Sequence, residues 1–270
     1  VLLTTLLATA QSINYDIYAL KYASLAHPGQ AVTGVNVGKD SLQVDFMVWL
    51  IKSSDGKILV VDAGSLYRTD EAKGFDGMNY LDPNSMLQNT PIKPEDVTDI
   101  ILTREHWDKI DYKDVFVKAH LWMQKEDYEY FTKTAWQKGG VNSTFNRKQV
   151  KDIIDCNEKG RLTLLNGDNQ EIMNGVKMHI DMAQASLPQY VMVKTNASNI
   201  VLAPDNVWLY YNLEHITPVP LFGKFDADGY IRGMQRIKNL MSDEKLIVPG
   251  QDAVLVSTFP LITEGVIKIK

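Results

Sequence analysis

The chain has one cysteine, Cys156, in 270 residues. That excludes an internal disulfide and any cysteine-built zinc module. Cys156 itself reads as a core or half-buried residue rather than a nucleophile. Histidine is scarce too, with five in the whole chain. No run of lysine and arginine occurs, and the formal net charge is -5, which argues against a nucleic-acid surface. No segment is apolar for long enough to span a bilayer. Gly-x-Ser-x-Gly is missing, and no Ser-His-Asp or Cys-His motif replaces it, so an activated serine or cysteine nucleophile has no support. What the chain does have is an ordinary apolar content of 45%, enough for a sizeable core.

The first residues, VLLTTLLATAQS, are apolar and small and include Ala8-Thr9-Ala10. Residues 1–10 have the outline of a signal-peptide core with its cleavage site, which implies a secreted or periplasmic protein. The competing reading is an apolar segment that packs on the body, or on a second subunit of a homodimer. Residues 11–270 read as a single domain. Strands are expected at 15–21, 43–51 and 57–62, the last two joined by an Asp-Gly hairpin turn. Residues 99–103 and 120–124 add two more strands, with helices over 125–136 and 147–155. Strands return at 161–165, 176–181, 189–195, 199–203 and 245–248, with helices over 206–213 and 229–241. This order predicts layered mixed sheets flanked by helices.

The chemistry concentrates in residues 103 to 111, Thr-Arg-Glu-His-Trp-Asp-Lys-Ile-Asp. This has the outline of the two-zinc hydrolase motif H-x-H-x-D-H, with His106 and Asp108 in place and Arg104 and Lys109 at the outer histidine positions. Other segments follow in a telling order: VDAG at 61–64, QKEDYEYFTKTAWQ at 124–137, QASLPQYVMVKT at 184–195, LAPDNVWLYYNL at 202–213 and VPGQDAV at 248–254. Together they resemble the metallo-β-lactamase superfamily, and within it the N-acyl homoserine lactonase-like hydrolases, from about residue 40 to 262. The resemblance implies an αββα sandwich and a site for two zinc ions.

Carried over position by position, one zinc would take residues 104, 106 and 184, and the other 108, 109 and 251, with 205 bridging. This chain supplies Arg104, His106 and Gln184, then Asp108, Lys109 and Gln251, and Asp205. Every lost ligand is a histidine. Zinc needs three or four imidazole, thiolate or carboxylate donors, and guanidinium has no lone pair to give. A unit positive charge about 4 Å from a dication repels it by roughly 8 kcal/mol at an effective dielectric of about 20. No resident cofactor is therefore expected. The carbonyl oxygens of Gln184 and Gln251 suit harder ions, which leaves a weak single-metal site open.

Without metal, Asp108 and Asp205 would be buried and unpaired. Arg104 and Lys109 bring two positive charges against their two negative ones, and Asp62, at a strand end, is placed to join. The expectation is a salt-bridge cluster in the former metal cavity and a protein inactive as a metal-dependent hydrolase, with a cleft for a small acyl or lactone-like ligand. The alternative is a metal-free or weakly single-metal lactonase or esterase. In it Lys109 would be base or nucleophile, Arg104 would stabilise an oxyanion, and Asp108 or His106 would be the general base. The resemblance also puts Trp208 where some lactonases carry a tyrosine, with Tyr210 and Tyr211 close by. Trp107, Trp122, Trp136, Trp208 and Phe131 read as core before they read as an acyl pocket. His120 and His215 fall outside the motif, and His27 and His179 have no partner legible in the sequence.

Overall fold

A computed structural model describes residues 13–38, 40–65, 78–81, 87–111, 115–137, 147–180, 189–220 and 226–270. The apolar start and Gln184 lie outside these residues. Among the described residues the strands form two sheets. The larger runs β13-β14-β1-β2-β3-β5-β6-β7, with β4 added on β1, where β1 is Tyr15–Pro28, β2 Ser41–Ser53, β3 Ile58–Val61, β4 Asn79–Tyr80, β5 Asp99–Ile101, β6 His120–Gln124, β7 Leu162–Leu165, β13 Leu261–Thr263 and β14 Val266–Lys268. The smaller runs β12-β11-β10-β9-β8, with β8 Gln170–Met173, β9 Val176–Ile180, β10 Gln189–Lys194, β11 Asn199–Ala203 and β12 Ile247–Pro249.

Strand alternation explains why the sheets meet face to face. Trp49, Ile51, Leu59, Val61 and Ile101 of the large sheet share one buried cluster with Val176, Met178, Val191, Val193 and Leu202 of the small one. The opposite faces are covered by helices. Ile153 of Arg147–Glu158 packs beyond the large sheet, and Tyr230, Met234 and Ile237 of Ala227–Leu240 beyond the small sheet. This is the expected αββα layering. The Asp-Gly turn forms as read: Gly56 takes φ 93°, and Ser53 N donates to Lys57 O at 2.8 Å.

Several boundaries differ from the sequence reading. β1 continues to Pro28, because its second half pairs with β2 across a bulge at Lys21/Ala23. β8, β13 and β14 were not anticipated, being three or four residues long and of mixed polarity. The helix expected at 206–213 is Tyr210–His215; Tyr210 N is capped by Asp252 Oδ2 at 2.8 Å, a partner distant in sequence.

Strand pairing decides where the site lies. β3 and β5 are parallel with Val61 opposite Ile101, so Asp62 and the loop after Leu102 leave the sheet together. β11 and β12 are parallel with Ala203 opposite Pro249, so Pro204-Asp205 and Gly250-Gln251 also leave together. Gly250 is locked between them: a Cβ there would stand 1.7 Å from Pro204 O. Its N–H donates to Val207 O at 2.9 Å, and Gln251 N to Trp208 O at 3.1 Å. Gly250→Ala must force these two loops apart and is expected to destabilise the fold by about 3 kcal/mol. A urea midpoint equal to the parent's would show that the close approach is not a constraint.

Candidate functional site

Three loops from the two sheets meet at Lys109. Asp62 follows β3 in the left-handed region, φ 59°, a conformation that aspartate tolerates better than most residues. Asp62 N donates to Ile101 O at 2.8 Å, and its Oδ1 accepts from Thr103 N and Thr103 Oγ1, both at 2.9 Å. Ala63 N donates to Lys109 O at 2.5 Å. The Asp62 turn is thus stitched to the 103–109 loop at both ends. That loop closes in a single helical turn, Trp107–Ile110, whose N-cap His106 is extended. Tyr22 Oη donates to Asp108 O at 2.8 Å, and Trp107 packs on Phe46 with ring centroids 5.9 Å apart.

The side chains then assemble. Lys109 Nζ stands 3.3 Å from Asp62 Oδ2, 3.3 Å from Asp205 Oδ1 and 3.9 Å from Asp108 Oδ2. Its side chain is 3% exposed. Arg104 Nη1 approaches Asp205 Oδ2 at 3.5 Å, and His106 Nδ1 is in hydrogen-bond contact with Asp108 Oδ1. Arg104 and His106 are the open members, with side chains 23% and 19% exposed. Arg104, His106, Asp108, Lys109 and Asp205 are therefore together, and Asp62 is a full member. Gln251 is buried beside Gly250, and its side-chain carbonyl oxygen has no hydrogen-bond partner among the described residues. Thr103 and Tyr22, which hold Asp62 and Asp108, were missed by sequence reasoning; only Thr103's place just before Arg104 was a hint.

Charge sets the protonation states. Burial opposes the Lys109 cation, but Asp205, Asp62 and Asp108 outweigh it and hold the ammonium well above the ordinary lysine range. Burial likewise opposes the Asp108 anion, and Lys109, His106 and Arg104 overcome it, holding that carboxyl well below the carboxylate range. Asp62 is different: burial dominates and pushes it up to about 6, with Lys109 and the Thr103 N–H pulling back. Asp205 is also within electrostatic reach of Tyr230, whose phenol burial and that charge keep protonated. Among the described residues, no group of three or more His, Cys, Asp or Glu side chains is arranged to hold a metal ion.

The other tempting residues have ordinary roles. Trp107 and Trp208 are core, Trp122 packs against the inter-sheet core, and Phe131 and Trp136 form a small separate cluster. His120 Nε2 meets Thr163 Oγ1 at 2.7 Å, and His215 stacks on Tyr211. Cys156 is half-buried, with Arg161 Nη2 3.6 Å from its sulfur.

Two outcomes follow from the cluster. Lys109→Met would leave three carboxylates around an apolar tip and is expected to cost about 3–5 kcal/mol, read as a lower urea midpoint; a loss under about 1 kcal/mol would mean the ion pairs are solvent-screened. The pH dependence has two limbs. Asp62, raised above its unfolded value, takes up a proton in the folded state first, so its contribution to stability grows as pH falls from 7 towards 4. Asp108, depressed, contributes fully above about pH 4, and that contribution is lost as pH falls further. Urea midpoints from pH 7 to 4 should therefore rise relative to those of Asp62→Asn; parallel curves would refute the assignment.

No protein-family profile matches the chain, and no curated protein matches it by sequence. Solved structures do. A quorum-quenching N-acyl homoserine lactone lactonase superposes with a TM-score of 0.69 at 16% identity, over 92% of this chain and 95% of that one. AbOPH, a hydrolase in the β-lactamase superfamily, gives 0.63 at 14% identity, over 83% and 82%. AidC, a dizinc quorum-quenching lactonase in complex with its product N-hexanoyl-L-homoserine, gives 0.60 at 14% identity, over 86% and 85%. Two facing sheets, helices on both outer faces and these neighbours agree: the chain has the metallo-β-lactamase fold.

Proposed function

We propose that this protein is a lactonase-like fold from which two-zinc hydrolysis has been lost, its metal place taken by Lys109 and Arg104, and that the cleft binds a small acyl or lactone-like ligand. One observation carries the reading. The Lys109 ammonium lies 3.3 Å from a carboxylate oxygen of each of Asp62 and Asp205, at the centre of the remaining donors. A dication among the same carboxylates would face that charge and the Arg104 guanidinium at close range, against a repulsion of several kcal/mol. The donor set therefore does not fit a zinc pair, and no catalytic step is derived through one. The ligand class rests on the neighbours, one of which holds N-hexanoyl-L-homoserine.

The alternative, metal-free or weakly single-metal hydrolysis of an ester or lactone, has one observation in its favour. His106 Nδ1 contacts Asp108 while the imidazole is partly open, as a positioned general base would be. Lys109 does not support that chemistry, because three carboxylates hold it protonated.

The test is metal analysis of protein purified with zinc in the medium, beside turnover of an N-acyl homoserine lactone panel with and without chelator. The expected result is zinc well below one ion per chain, no turnover, and saturable binding of at least one panel member. Near two zincs per chain with chelator-sensitive turnover would overturn the reading. Chelator-insensitive turnover abolished by His106→Ala would establish the alternative.

A further inference from the structure

The small sheet carries a second groove on its outer face, and no residue of the Lys109 cluster lines it. Its volume is about 460 Å³, and its lining includes Asp168, Lys177, His179, Met192, Lys194 and Arg236. Alternation explains the lining. Val176, Met178, Val191 and Val193 point into the inter-sheet core, so Lys177 and His179 of β9, and Met192 and Lys194 of β10, lie on the other face. Arg236 and Leu240, from the end of helix Ala227–Leu240, close one side.

The charges in this groove are not balanced. Asp168 is committed: its Oδ2 accepts from Arg236 Nη2 and its Oδ1 from Ile180 N at 3.1 Å. Lys177 Nζ donates to a neutral oxygen, Asn169 Oδ1, at 3.2 Å. Glu171 faces Lys177 across the strands, but its Oε1 accepts from Gly175 N at 3.3 Å. Among the described residues neither Lys177 nor Lys194 has an ion-pair partner. Three lining cations face one lining carboxylate and, across the strands, Glu171, which leaves an excess of one positive charge in a chain whose net charge is -5.

His179 adds an independent sign. It is 6% exposed and stacks on Tyr190, ring centroids 4.9 Å apart and 6° from parallel. Its Nδ1 is 3.3 Å from Asp168 Oδ1, and neither ring nitrogen has a hydrogen-bond partner among the described residues. A buried ring without hydrogen-bond partners calls for an explanation, and this one lines the groove beside two lysines that have no ion-pair partner among the described residues. Met192 and Leu240 supply an apolar wall next to the charges.

We propose that this groove binds a small organic dianion of the phosphate-monoester class, the phosphate held by Lys177 and Lys194 and the organic part lying on Met192 and Leu240. Lysine serves phosphate as a point charge and needs no bidentate geometry. The two ammonium groups without an ion-pair partner among the described residues match the two charges of a dianion.

The probe is phenyl phosphate, titrated calorimetrically into the full chain at low salt. Saturable binding is expected that weakens with added salt. It should weaken at least tenfold in the Lys177→Gln, Lys194→Gln double variant, with circular dichroism confirming its fold. On the native protein, the same titration should move the His179 ring resonances in proton–nitrogen spectra. No saturable binding, unchanged affinity in the double variant, unmoved His179 resonances, or phenol binding as well as its phosphate would each overturn the proposal.

Discussion

A lysine ammonium sealed among three aspartates sets the terms for this end of the molecule. A unit charge pair at 3.3 Å gains about 5 kcal/mol at an effective dielectric near 20, and Lys109 makes two such contacts. Desolvation of each ion costs several kcal/mol in return. The cluster therefore need not stabilise the fold in net terms. What it resists is the loss of a cation, because removing Lys109 alone leaves buried carboxylates without a counter-charge. The side chains of Asp62, Asp108, Lys109 and Asp205 are each at most 7% exposed, so water cannot screen the deficit.

The loops that present these charges are held by backbone and packing. The Asp62 turn is held through Thr103 N, Ile101 O and, by way of Ala63 N, Lys109 O, all backbone groups of the neighbouring loop and strand. The 204–208 and 249–251 segments are held together by Gly250 pressed on Pro204 and by two amide–carbonyl bonds. None of these contacts uses the side chain at 104, 109 or 251. On the reading proposed above, that separation lets a site of this shape exchange histidines for cations with its strand ends in register, provided that the remaining carboxylates still meet positive charge, as they do at Lys109.

Much of this was legible in the sequence. The apolar runs on either side of Asp-Gly located β2 and β3, and the run from Asp99 located β5. The REHWDK turn placed His106, Asp108 and Lys109 on one loop, and charge counting paired the cations with aspartates. Partner choice was not legible. Lys109 takes Asp62 and Asp205 at 3.3 Å in preference to its neighbour Asp108 at 3.9 Å, because it lies between the ends of β3 and β11, a fact of sheet packing. The short strands β8, β13 and β14 carry too few residues for a period to emerge. The His179 groove escaped for the same reason as the partner choice: it unites β9, β10 and a helix end more than forty residues downstream, and nothing local in VKMHI announces Arg236.

The two charged centres differ in how their cations are used. At the first, Lys109 and Arg104 are committed to carboxylates, and the count of Asp62, Asp108 and Asp205 against those two cations leaves one negative charge when His106 is neutral. An anionic ligand entering there meets that excess and only one partly open guanidinium. On the reading proposed above, a neutral acyl or lactone group suits the cleft better than its ring-opened carboxylate, which is the reverse of what a pair of dications would favour. At the second centre the lysines are unspent and the field is positive. On the two readings proposed above, the first site disfavours an anion and the second favours one, so charge separates the two ligands before any shape is tested.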